Sequence, residues 1–269
     1  MIKKRSQISY ESMERLTRKW WFYLLLIVVP VLIPPIASNR LVPFNELGEF
    51  IWDFVQTLLI KKSSYLPLMP TLHLAVLILI FLIVRSGNRL RRGISMLIGF
   101  HYIALAYFQT IAVSEKYGLS IISVGLILFL AVAFFWFWEA SVGKTDFTFH
   151  KLPLRNYWVI PIAVFNFWDP DIPWDFDPMF FITSTSPIAI CMMTTIYLAI
   201  LNLLFPRINF PLFRVLSFVG ILLAAFTLLG AFFMDVREGS YWIFLHTPML
   251  IISLYSFRRG LRSIETEPV

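Results

Sequence analysis

Long apolar runs recur along this chain, and they constrain its fold more than any other feature. A helix rises about 1.5 Å per residue, so about 20 apolar residues cross the roughly 30 Å hydrocarbon layer of a bilayer. Runs of about this length cover residues 20–37, 67–84, 94–113, 118–138, 184–205, 212–234 and 241–257. Only 14% of the residues are charged, against roughly 25% in soluble domains. The sequence therefore predicts an all-α, multi-pass membrane bundle that forms one domain over residues 1–269.

An eighth apolar segment, residues 157–168, is short, and Pro161 interrupts it. The distribution of basic residues indicates whether it crosses, because cytoplasmic loops retain Lys and Arg. With a cytoplasmic N-terminus and eight crossings, 18 Lys and Arg lie inside and five lie outside. With seven crossings the split falls to 14 against nine. We therefore predict about eight transmembrane helices in the cell membrane, with both termini cytoplasmic.

The two faces of this topology carry opposite charge. The basic inner face is expected to contact anionic lipid headgroups of the bilayer, so the high net positive charge does not predict nucleic-acid binding. The outer face collects acids, above all in NFWDPDIPWDFDP at 166–178, and we take 166–182 as an outer acidic loop. The outer acidic cluster comprises Asp53, Asp169, Asp171, Asp175 and Asp177.

The aspartates of this loop leave two interpretations open. Carboxylates are hard ligands for Ca²⁺ or Mg²⁺, which makes Asp169, Asp171, Asp175 and Asp177 candidate ligands of a divalent cation. The glycine turn and terminal glutamate of a calcium loop are missing from this stretch. In the alternative, Trp168 and Trp174 anchor a solvated loop among lipid headgroups. No other cofactor is expected.

A second outer segment has helical periodicity. In residues 43–60, apolar side chains recur every three or four residues, and Glu46, Glu49, Asp53 and Gln56 lie on the other side. This pattern predicts an amphipathic helix in the outer interface. It either caps the bundle or walls an outer vestibule together with the acidic loop.

A gapless offset of 122 residues suggests an internal repeat. It places Trp52-Asp53-Phe54 on Trp174-Asp175-Phe176, and Arg85 and Arg92 on Arg207 and Arg214. The halves would be 1–138 and 139–269, in a parallel 4+4 arrangement of the kind found in transporters. Coincidence among aromatic-rich loops is the alternative.

Polar residues inside predicted spans are costly, so they indicate where function lies. Candidates for a substrate path are His101, Gln109, Asn202 and His246. His73 lies near the outer end of the second span, and Glu139 ends the fourth span, where we expect it to be solvated or paired with a basic residue. Each histidine has the alternative role of an interhelical hydrogen-bond partner.

Three functions remain open, since no nucleotide, zinc or hydrolase motif occurs in the sequence. The first is a small transporter or permease with a negatively charged outer vestibule that concentrates a cationic or neutral substrate. The second is a membrane-embedded enzyme that acts on a lipid or lipid-linked substrate at the outer face. The third is a non-catalytic subunit or sensor with a membrane-protein partner or a second copy of the chain.

Overall fold

The computed structural model describes residues 2–170, 174–232 and 236–262, and most of them are helical. Eleven α-helices occur in this part of the chain. They are α1 Ile2–Leu16, α2 Trp20–Leu32, α3 Leu47–Tyr65, α4 Met69–Ser86, α5 Arg91–Thr110, α6 Ser123–Val142, α7 Val159–Trp168, α8 Phe180–Thr183, α9 Ile190–Leu204, α10 Phe210–Ala231 and α11 Val236–Arg262. The prediction of a mainly helical chain is confirmed.

Several of these helices are long and apolar enough to cross a membrane. They are α6, α10 and the run Leu66–Thr110, which contains α4 and α5. The segment 180–188 and α9 pass the same test together, but they are bent by 95° at the break between them. Apolar α2 is shorter, at 13 residues.

A small antiparallel sheet was not predicted. Its strands are β1 Ile36–Ala37, β2 Ile111–Ser114 and β3 Gly118–Ile121, in the order β1-β3-β2. The predicted spans 94–113 and 118–138 therefore end and begin as strands, because β-branched residues flank a tight turn. Gly118 has φ +67°, and a Cβ there would lie 2.3 Å from the side chains of Ser38 and Asn39. The backbone thus requires glycine at this turn.

The core consists of two antiparallel helix pairs with the remaining helices packed around them. In the first pair, Gly99 of α5 lies under the ring of Phe137 of α6. In the second, Gly220 of α10 lies against Ser253 of α11. Helix α9 contacts both pairs and α7, and its side chains are almost all buried. This central helix begins at the bend that forms the candidate site.

Helix α3 covers most of the predicted outer helix. Phe50 and Phe54 are buried, whereas Phe44 and Ile51 are exposed. The helix contacts β2, and Phe50 makes a T-shaped ring contact with Tyr117 in the turn between β2 and β3. The spacing of apolar residues did not identify Phe50 as a buried contact of this helix, because that contact depends on the sheet.

Candidate functional site

The candidate site is the bend between α8 and α9, in the sequence Ser184-Thr185-Ser186-Pro187-Ile188-Ala189, where the first five residues are buried and Ala189 is half-buried. Proline has no N–H to donate to a helix ladder. Serine and threonine hydroxyls compete with the backbone for hydrogen bonds. These residues therefore disfavour a continuous helix across this stretch, and where the helix breaks its main-chain groups need other partners.

Helix α5 supplies two of these partners. The Nε2 atom of His101 lies 2.7 Å from the carbonyl oxygen of Pro187. The Oε1 atom of Gln109 accepts a 3.0 Å hydrogen bond from the N–H of Ile190, in the first turn of α9. Side-chain capping of this kind satisfies groups that the start of a helix leaves unpaired. Two of the four predicted path residues are thus brought together at the bend.

The contacts of His101 fix its hydrogen positions. A carbonyl oxygen only accepts, so Nε2 carries the hydrogen that Pro187 receives. In the neutral ring, Nδ1 then accepts from the hydroxyl of Tyr197, at 2.6 Å. Nearby, the hydroxyls of Tyr102 and Thr194 form a further hydrogen bond between α5 and α9, at 2.9 Å. The bend is therefore tied to α5 and α9 by a connected polar network.

Helix α4 contributes His73, which is 1% exposed. Its Nε2 atom lies 3.3 Å from the hydroxyl of Ser184 and 3.2 Å from that of Ser186. The hydroxyl of Ser186 in turn donates to the carbonyl oxygen of Phe167 in α7, at 2.8 Å. The serines were missed by the sequence analysis, although four consecutive hydroxyl residues before a proline inside an apolar run were a usable signal.

The other two path candidates lie elsewhere. Asn202 donates to Leu198 and to the hydroxyl of Ser256, at 2.8 and 2.6 Å, and it accepts from Arg259. It joins α9 to the last turns of α11. His246 bonds to Trp242 on its own helix, at 2.9 Å, and stacks on that ring. The hydrogen bonds of Asn202 and His246 therefore do not involve the bend.

The outer aspartates mostly hold their own loop. Asp175 accepts from the N–H of Asp177 at 3.2 Å, and Asp177 accepts from the N–H of Met179 at 2.8 Å. Asp169 is buried and ends α7 with φ +36°. Asp171 lies outside the described residues. Among the residues that are described, no three His, Cys, Asp or Glu side chains form a group that could hold a metal ion.

Asp53 lies apart from this loop, on α3. One of its carboxylate oxygens is enclosed and has no hydrogen-bond partner. Two nearby acids are paired with basic residues, Glu46 just before α3 with Arg40 and Glu49 on α3 with Lys116. The hydrogen bond and charge of Lys116 lower the pKa of Glu49.

An apolar groove of about 400 Å³ lies between α7 and residues 176–181 of the acidic loop. The indole N–H of Trp168 donates to the carbonyl of Asp177 at 2.8 Å, and its ring stacks on Phe176. This bond fixes the aromatic wall of the groove. The lining residues are Pro161, Val164, Phe165, Trp168, Phe176, Pro178 and Phe181.

Buried charged residues connect the helices at the end of the bundle opposite the acidic loop. We expected Glu139 to be solvated or paired with a basic residue, but it is buried. Its carboxylate instead accepts from the backbone N–H of Thr145 and the side chain of Asn209, at 2.7 and 2.6 Å. Arg214 is fully buried, and it donates to Glu14 of α1 and to Gly260 of α11. These contacts bring α1, the start of α10 and the end of α11 together.

The loop after α6 contains a more exposed clamp. Asp146 accepts hydrogen bonds from Asn88 and Arg207, at 2.6 and 2.8 Å, and from the N–H of Thr148 at 2.9 Å. Partial burial by itself would raise the pKa of Asp146, but these hydrogen bonds and the charge of Arg207 hold that pKa below its usual value. The clamp joins the turn after α4 to the loops after α6 and α9.

Comparison with known proteins adds no constraint to this geometry. No protein-family model, no curated protein and no solved structure matches the chain.

Proposed function

We propose that the chain crosses the membrane eight times, through α2, α4, α5, α6, α7, α9, α10 and α11. Helices α4 and α5 fold back on each other, because Tyr65 before α4 contacts Phe108 near the end of α5. The 45-residue run that contains them therefore supplies two crossings. The bond of Arg214 to both Glu14 and Gly260 supports an even number of crossings between α1 and the end of α11. The distribution of basic residues favours a cytoplasmic position for that end.

The proposed repeat is supported by the helix boundaries. An offset of 122 residues carries α4, α5 and α6 approximately onto α9, α10 and α11, and the last two of each set form the closely packed pairs. The parts before them differ, since α3 is a long helix, whereas the described residues of the corresponding 169–187 contain only the short helix α8 and a 3-10 turn. We therefore propose a shared three-helix unit within the two halves.

A transporter or permease is the function that we propose for this bundle. One observation supports it most, the discontinuous helix at 184–189, whose main-chain groups bond to side chains of neighbouring helices. Broken helices with irregular backbone form the substrate and ion sites of many transporters, near the interface between repeats. The outer aspartates would concentrate cationic or neutral solutes at the entrance.

The bend also has the property that alternating access needs. Its bonds to His101, Gln109 and His73 are side-chain contacts between separate helices, so they break and reform without unfolding any helix. A substrate with hydroxyl or amine groups would replace them at Pro187 and Ile190. Helices that carry these side chains would then separate on one side of the bend at a time.

Cysteine accessibility tests this function directly. In a Cys191→Ser background, we would introduce Ser186→Cys at the bend and expose it to a membrane-impermeant cationic thiol reagent. Intact cells report access from outside, and inverted vesicles report access from inside. Alternating access predicts labelling from both sides, whereas a sealed bend in either preparation contradicts it. Phe44→Cys, at an exposed outer position, is the control for one-sided labelling.

Uptake into proteoliposomes is the second part of this test. A panel of labelled cationic and neutral organic solutes should include one whose uptake exceeds that of empty liposomes. Gln109→Ala removes the cap of Ile190 and should lower this uptake severalfold. Gln7→Ala, the same substitution at an exposed position on α1, is the matched control.

The groove on α7 favours a second candidate, an enzyme that acts on a lipid at the outer face. Its purely aromatic and aliphatic lining suits an acyl chain, and the acidic loop lies above it. Retention of a labelled phospholipid by the purified protein, lost in Trp168→Ala, would favour this function over transport. Copurification of a partner would instead favour the role of a complex subunit.

A further inference from the structure

The hydrogen bonds around His73 have defined directions. Its Nδ1 atom lies 2.9 Å from the carbonyl oxygen of Met69, one turn earlier on α4. Because that oxygen can only accept, Nδ1 carries a hydrogen whichever charge the ring has. Protonation of His73 can therefore change only Nε2, the atom that faces the two serines.

The two serines have opposite hydrogen-bonding roles toward Nε2, since one donates and the other accepts. The single hydroxyl hydrogen of Ser186 is already donated to the carbonyl of Phe167, at 2.8 Å, so toward His73 its oxygen acts as an acceptor. Ser184 has its hydroxyl hydrogen available for Nε2, and its oxygen receives a long contact of 3.5 Å from the N–H of Ser186. Ser184 is thus a donor to neutral His73, and Ser186 is an acceptor from protonated His73.

We propose that His73 is a proton-binding site at the bend. In the neutral state, the hydroxyl of Ser184 donates to the lone pair of Nε2. When a proton binds, Nε2 donates to Ser186, and the hydroxyl of Ser184 turns to another acceptor. The ring keeps one hydrogen bond at Nε2 in either state, so neither charge leaves a ring nitrogen unpaired.

Other ionisable groups lie on the helices that meet at the bend. Asp169 follows the end of α7 and is buried, Cys191 lies in the first turn of α9, and His101 binds the same bend through Pro187. Phe167 packs edge-on against the ring of His73. A bound proton therefore changes the charge at the contact between α4, α7 and the bend.

This site gives the proposed transporter its coupling ion, an assignment that rests on the proposed function. Protonation of His73 transfers a hydrogen bond from Ser184 to Ser186, two residues along the bend. The position of the bend between α7 and α4 thereby becomes linked to proton occupancy. Proton binding itself does not depend on transport.

Nitrogen-15 NMR of the imidazole side chains tests the proton site in the full-length protein. The chain has four histidines, and a His73→Gln variant identifies the signal of His73. Between pH 5 and 9, the Nε2 shift of His73 should move from the neutral to the protonated value. Since a hydrogen bond contributes about 1 kcal/mol, removing one partner should move the midpoint by about half to one pH unit.

The two serines must act in opposite directions. Ser184→Ala removes the donor to the neutral ring and should raise the midpoint pH. Ser186→Ala removes the acceptor from the protonated ring and should lower it, and Ser186→Thr, which keeps the hydroxyl, should restore it. A His73 signal that does not titrate, or equal shifts in both alanine variants, overturns the proposal.

Proton flux separates this inference from the proposed function. Proteoliposomes with an internal pH-sensitive dye should show solute-driven acidification that His73→Gln abolishes. If His73 titrates as described but no solute moves protons, the coupling role is wrong and the proton site stands. If solutes are transported without a titrating His73, the transporter stands and the proton site is wrong.

Discussion

Replacing Arg214 should destabilise the protein more than replacing any exposed arginine. Its guanidinium is fully buried and donates at 2.9 Å to Glu14, at 3.3 Å to Thr17 and at 2.8 Å to Gly260. Breaking a buried ion pair from one side costs about 3–5 kcal/mol, because the other charge stays buried. Glu14 keeps a second partner, Arg18, at 2.8 Å. We therefore expect Arg214→Met to cost about 3 kcal/mol.

Thermal unfolding in detergent micelles, followed by tryptophan fluorescence, measures this loss. At about 2–4 °C per kcal/mol, Arg214→Met should lower the melting temperature by about 6–12 °C. The matched control is Arg18→Met, which removes an exposed partner of the same glutamate. An exposed pair at this spacing contributes about 0.3–0.5 kcal/mol, so the control should shift by only about 1–2 °C.

A double-mutant cycle with Glu14→Gln tests whether the ion pair causes the effect. Two residues in direct contact should show an interaction free energy of about 1–3 kcal/mol. Equal melting temperatures for Arg214→Met and Arg18→Met would refute the reasoning. Additivity of Arg214→Met and Glu14→Gln would show that Arg214 acts through Gly260 and Thr17 instead.

The remaining predictions concern packing, pH and topology. A Cβ at Gly99 would lie 2.8 Å from the ring of Phe137, so Gly99→Ala should cost about 1–3 kcal/mol of stability. On the same helix, a Cβ at Gly93 meets no atom within 4 Å, so Gly93→Ala should stabilise the protein by about 0.5–1 kcal/mol. Thermal unfolding of the two variants measures this difference. The lowered pKa of Asp146 means that its charge stabilises the folded state at neutral pH and that this contribution disappears as pH falls below about 4. Asp146→Asn should therefore reduce stability at pH 7 by up to about 1 kcal/mol, and in melting curves the difference from the wild type should vanish as pH falls through the lowered pKa of Asp146. In the Cys191→Ser background, Arg89→Cys should react with an impermeant reagent only in inverted vesicles and Asp175→Cys only in intact cells, and labelling of Arg89→Cys from outside would invalidate the topology.

The sequence identified the helices better than their ends. Predicted runs such as 67–84 and 212–234 correspond to α4 and α10 within a few residues, because apolar composition and helix length are local properties. The strands β2 and β3 were missed, since they form only when a short turn inside apolar sequence pairs Ile111 with Ile121, ten residues later. Helix α1 was also missed, because its charged sequence lacks an apolar run.

The candidate site could be predicted only in part. His101 and Gln109 were selected because polar groups inside apolar runs need partners, and both bind the bend. His246 was selected for the same reason but bonds to its own helix. Composition cannot distinguish these cases, because a histidine satisfies its ring either within one turn or across to another helix.

The sequence alone determined the class of the molecule, a mainly helical chain with runs apolar enough to cross a membrane, because that property depends only on which residues follow one another. The tertiary structure decided which polar groups meet. His73, His101 and Gln109 converge on one bend although Ser184 lies 111 residues from His73. Hydrogen bonds act over about 3 Å, so such contacts exist only after the helices have packed.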